Sequence, residues 1–97
     1  MKLVLIVYNE AIDSRIDGLL ADCCPIASFT KWTKVMGRGT HSEPHLLDHV
    51  WPKGNNALIT CVPDDVAGKI LNRIREFRAK DPKTGLKAFS LPVDDAT

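Results

Sequence analysis

The chain has 97 residues, 44% of them hydrophobic and 26% charged, with a formal net charge of +1 and a sequence pI near 7.7. That length builds one domain, residues 1–97, with a real but small core, and leaves no room for two. The nearly balanced charge excludes a global electrostatic bias toward nucleic acid or acidic membranes, so a charged ligand must be met by a local site.

Lys2 to Tyr8 is a continuous β-branched and aliphatic run, expected to form a strand buried on both faces. It is far too short to span a bilayer and lacks the features of a signal peptide, so a cytoplasmic protein is expected. From about Asp13 the period changes: Ile12, Ile16, Leu19, Leu20 and Cys23 recur at helical spacing, with Asp13 or Ser14 as the cap and Pro25 as the stop. Ala27 to Met36 alternates β-formers with Lys31 and Lys34, which predicts a strand turning those two lysines to water.

Gly37 to Asn56 then reads as a long connection without obvious regular structure, a kind of loop that is more often functional than a mere linker. Ala57 to Val62 is a second strand expected to be buried on both faces. Asp64 is placed to cap a helix in which Val66, Ala67, Ile70, Leu71, Ile74 and Phe77 share one face, with Asp65 at the positive end of its dipole. Asp81 to Gly85 has turn chemistry, and Lys87 to Val93 is a last strand with Pro92 marking an edge or an end. Three cysteines, Cys23, Cys24 and Cys61, show no C-x-x-C pair and no disulfide framework, and read as small buried hydrophobes with at most one exposed thiol.

The order β-α-β-β-α-β predicts an α+β ferredoxin-like sandwich: an antiparallel sheet with both helices on one face and a long loop between strands 2 and 3. Two helices cover only one side of a sheet whose first and third strands are apolar at successive positions. Other copies of the chain are the simplest cover for the remaining side, so a homo-oligomer is expected.

Val35-Met36-Gly37-Arg38-Gly39, the long loop, Val62-Pro63-Asp64-Asp65-Val66, and Gly85 to Val93 resemble, in order and spacing, the nitrogen regulatory P-II signalling superfamily across nearly the whole chain. The resemblance implies a homotrimer with its sheets inward, adenine nucleotide bound in clefts between subunits, and long loops reaching a protein partner such as a transporter or enzyme. It would be a regulator that needs no cofactor. Carried onto this chain, it places Gly37, Arg38 and Gly39 at the loop base near the phosphates, Thr84 and Gly85 in the short loop before the last strand, Lys87 on the phosphates, and Thr30 near the adenine. Thr30 follows with one extra residue in the second strand. Read without the family, Lys87 is a solvated strand-end lysine and the glycines are turn residues.

Several departures from the family pattern stand out. The sequence stops before the arginine pair that holds the outer phosphates, which favours AMP or ADP over ATP. The loop carries no tyrosine for uridylylation, and His41 stands where the glutamine of a 2-oxoglutarate site is expected, so nitrogen control is not supported. The chain looks instead like a divergent P-II-like protein, a group associated with transporters, bicarbonate handling or metal resistance. His41, His45 and His49 recur every four residues and could ligate zinc or copper, the basis of an alternative as a metal-binding trimer of the related CutA-like kind. Leu46, Leu47 and Trp51 are apolar enough to dock into a partner. No phosphate-loop, nucleophile-elbow or dinucleotide motif occurs, so an enzyme is not expected.

Overall fold

A computed structural model describes residues 1–24, 28–37 and 54–97. Four strands, β1 (Lys2–Asn9), β2 (Thr30–Val35), β3 (Asn55–Val62) and β4 (Leu86–Pro92), form one sheet in the order β2-β3-β1-β4. Every adjacent pair is antiparallel. Two helices, α1 (Asp13–Cys23) and α2 (Asp64–Lys80), are the crossovers, and a short 3-10 turn at Glu10–Ile12 leads into α1. This is the ferredoxin-like fold that the element order predicts.

Val4, Ile6 and Tyr8 of β1, Leu58 and Val62 of β3, and Leu86 of β4 make up the sheet side of the core. Ile16 and Leu20 of α1 and Ala67, Ile70 and Ile74 of α2 make up the helix side. The strands expected to be buried on both faces are not. In β1 the buried positions alternate with half-buried Leu3, Leu5 and Val7, and β3 alternates the same way. The register puts Leu5 beside Ile59 and Phe89, and Leu3 beside Cys61 and Leu91, on the face opposite α1 and α2. Trp32 (48% exposed), Phe89 (49%) and Leu91 (43%) complete that apolar surface.

Lys31 does not face water as expected. It pairs with Leu58, on the helix side, and its Nζ donates to Asp13 Oδ1 at 3.0 Å and Asp17 Oδ1 at 2.9 Å. Trp32 takes the open face. Neither expected aspartate cap forms. Asn9 caps the 3-10 turn by accepting from the Ala11 N–H, which leaves Asp13 inside α1 and free to turn toward the sheet. Pro63 occupies the cap position of α2, and Asp64 accepts from the amino terminus of Met1 at 2.7 Å. Asp64 and Asp65 still suit the positive end of the helix dipole.

Between Trp32 and Val35 the register slips: Trp32 pairs with Ala57 and Val35 with Asn55, so two residues of β2 oppose Asn56 alone. Lys34 takes the left-handed conformation there, with φ of 56°. This is a β-bulge, and it accommodates one extra residue in the second strand.

Candidate functional site

The ends of β2 and β1 and the starts of β3 and β4 meet at one rim of the sheet. Gly37 lies against the side-chain amide of Asn55, and a Cβ on Gly37 would collide with it. Asn55 pairs with Asn9, whose N–H donates to the Gly85 carbonyl at 2.9 Å. The Glu10 N–H donates to the Gly54 carbonyl at 3.1 Å, which ties the chain entering β3 to the same rim. Thr84 is held in its turn by donation to the Asp81 carbonyl, and Lys87 is exposed opposite Val7, on the open-face side.

The structure therefore brings Gly37, Thr84, Gly85 and Lys87 to one end of the sheet, but on its two outer strands. Three strand spacings separate those edges, about 14 Å. Thr30 is not part of this group. It starts β2, pairs with Ile59 on the open face, and stands roughly 20 Å along the strand from Gly37. Arg38, Gly39, His41, His45, Leu46, Leu47, His49 and Trp51 lie outside the described residues. Among the described residues no group of three or more His, Cys, Asp or Glu side chains is placed to hold a metal.

Beneath the rim is a polar network that sequence reasoning missed. Asp13 Oδ1 accepts from the Tyr8 hydroxyl at 2.6 Å, from Asn56 Nδ2 at 2.9 Å and from Lys31 Nζ at 3.0 Å. The Tyr8 hydrogen bond, joined by those from Lys31 and Asn56, holds the Asp13 carboxyl below its usual range against the opposing effect of burial. Burial, then the bond to Asp13, pushes the Tyr8 phenol up to about 12. Burial disfavours the Lys31 charge, but hydrogen bonds to Asp17 and Asp13 outweigh it and raise its pKa above the usual lysine range. The network pins α1 to β1, β2 and β3 immediately under the root of the long loop. Asn56 Oδ1 is buried and has no hydrogen-bond partner among the described residues. The only trace of this cluster in the sequence is the i,i+4 spacing of Asp13 and Asp17, which puts two carboxylates on one helix face.

No family model matches the chain, and no curated protein sequence matches it. Solved structures do. A PII-like signalling protein from Thermus thermophilus superposes with a TM-score of 0.69 at 26% identity, over 95% of this chain and 84% of that one. CPII from Thiomonas intermedia, in a structure bound to ADP and bicarbonate, superposes with a TM-score of 0.67 at 21% identity, over 97% of this chain and 88% of that one. A further structure of CPII, described as a nitrogen regulatory PII-like protein bound to ADP, AMP and bicarbonate, gives a TM-score of 0.67 at 17% identity, over 99% and 94% of the two chains. In its fold, the chain is similar to PII-like signalling proteins.

Proposed function

We propose that this protein is a regulatory, signal-transducing trimer that binds ADP or AMP in clefts between neighbouring copies and acts on a protein partner, such as a transporter or an enzyme, through residues 37–56. On this reading residues 1–97 are a single domain, the protein is cytoplasmic, and it is a regulator with no catalytic centre of its own. Among the described residues no helix is long and apolar enough to cross a membrane.

One observation carries the proposal: Gly37 on one outer strand and Gly85 to Lys87 on the other share a rim. The gap of about 14 Å is too wide for one phosphate group to touch both, but a neighbouring copy docked on the open face would close it. Small residues at such a place allow backbone amides to approach phosphate, and Lys87 supplies a positive charge. The open face supports the assembly. Burying the exposed halves of Trp32, Phe89 and Leu91 is worth about 1 kcal/mol for each side chain in every copy. Thr30 stands on that face, at the seam between copies. The structural likeness to a protein solved with ADP and AMP supports the choice of nucleotide.

Calorimetry with AMP, ADP and ATP tests the proposal, with sedimentation run in parallel. Binding of ADP or AMP to a trimer is expected, and Lys87→Ala should weaken it roughly tenfold, the loss of one charge-assisted contact. No heat with any of the three nucleotides, or unchanged affinity in Lys87→Ala, would refute the nucleotide site.

A further inference from the structure

We propose that Cys23 and Cys24 form a two-sulfur site for a soft monovalent cation of the copper(I) class, in the pocket between the end of α1 and the flank of α2. This site does not depend on nucleotide binding. It lies in the helix layer, on the opposite side of the sheet from the apolar face, so an assembly through that face leaves it open.

Cys23 is the last residue of α1, and the Cys24 N–H donates to the Leu20 carbonyl at 3.1 Å, which fixes the second cysteine against the helix end. Both line a pocket of about 330 Å³ together with Lys69, Asn72 and Arg73 of α2. Cys24 is buried and Cys23 half-buried.

The donor set narrows the ligand class. Thiolates select soft ions, and two donors satisfy a monovalent d10 ion, whereas zinc sites are almost always four-coordinate. Among the described residues no group of three or more metal-binding side chains is placed to complete such a shell. Charge points the same way: two thiolates and one monovalent cation leave a net charge of −1. Lys69 and Arg73 line the same pocket and would offset that charge. Arg73 is shared with Asp22 at 3.0 Å and Glu76 at 3.7 Å, so Lys69 is the less encumbered of the two cations. The step balances as two thiols plus one cuprous ion giving one bis-thiolate complex and two protons, without change of oxidation state.

The test is an anaerobic titration of the whole chain with cuprous ion against a chromogenic competitor. One ion per chain is expected, with release of two protons read from the dependence of the heat on the buffer. Cys23→Ser, at a half-buried position on the edge of the core, should lower the affinity at least a hundredfold, roughly the upper end of what losing an outer partner alone costs. Cys61→Ser and the double variant His45→Ala, His49→Ala should retain it, and Lys69→Ala should weaken it about tenfold. Phenylarsine oxide, which condenses with two neighbouring thiols and releases water, should label the wild type and Cys61→Ser but not Cys23→Ser. Far-ultraviolet circular dichroism establishes that each variant is folded. Copper affinity that survives Cys23→Ser, or is lost in Cys61→Ser or in the histidine variant, overturns the site, as does failure of the arsenical to react.

Discussion

Removing the Asp13 carboxylate tests whether the network under the rim holds the fold together. Three donors converge on one oxygen, but they do not count equally. Lys31 keeps Asp17 at 2.9 Å when Asp13 is lost, and about a third of the Asp13 side chain is exposed, so water replaces part of that contact. The Tyr8 hydroxyl and the Asn56 amide have no such recourse, because Tyr8 is 1% and Asn56 4% exposed. Stranding two buried donors costs about 1–2 kcal/mol each, so Asp13→Ala should destabilise the protein by about 2–4 kcal/mol. For a chain of this size the midpoint of thermal unfolding should fall on the order of 10–25 °C. Urea unfolding followed by circular dichroism measures the loss, and repeating Asp13→Ala in a Tyr8→Phe background should recover about 1 kcal/mol of coupling. A loss below about 1 kcal/mol, or complete additivity of the two substitutions, would show that the network contributes no stability.

Three other measurements address different parts of the structure. Tyr8 is the only tyrosine, so its ionisation can be followed by ultraviolet difference absorbance; the midpoint should lie near 12, compared with 10.0 for the free phenol. Because the folded pKa is raised, the stability linked to Tyr8 is complete below about pH 10 and is lost between about pH 10 and 12, and a midpoint near 10 would contradict the buried bond to Asp13. Leu5→Asp, at the centre of the open face, should leave the chain folded but monomeric in sedimentation at micromolar concentration, and an unchanged oligomer would refute assembly through that face. Lys34→Gly should stabilise the protein by about 0.5 kcal/mol, since relief of left-handed strain exceeds the entropy that glycine adds to the unfolded chain. A loss of more than about 1 kcal/mol in urea unfolding would argue against strain at the bulge.

The element order was legible because each segment declares its own period: the apolar run of β1 and the helical spacing of Ile70 and Ile74 need no knowledge of the rest of the chain. Orientation is a different matter. Lys31 reads as a solvent-facing residue because its immediate neighbours alternate with it, yet Asp13 and Asp17 on a separate helix draw it to the covered side. The same long-range contact took Asp13 away from the cap its position suggested, while Asn9 supplied the local cap. Asp64 lost its capping role to a partner 63 residues away, the amino terminus. The double apolarity of β1 and β3 was read correctly as composition, but a single chain buries only one face, and the other accounts for the exposed Trp32, Phe89 and Leu91. At the rim, Gly37, Gly85 and Lys87 could be named from their resemblance to a family pattern, whereas Tyr8 and Asn56 carry no motif and became visible only when β1 and β3 were brought side by side.

The bulge at Lys34 also bears on how chains of this architecture can diverge. A strand residue advances the side-chain direction by about half a turn, so one inserted or deleted residue between Trp32 and Val35 rotates the root of the following segment by about 180° while the core pairs of Leu58 and Ile6 stay as they are. A single codon at this place therefore works as a rotary coupling: it can re-aim the strand end at Gly37 without renegotiating the fold.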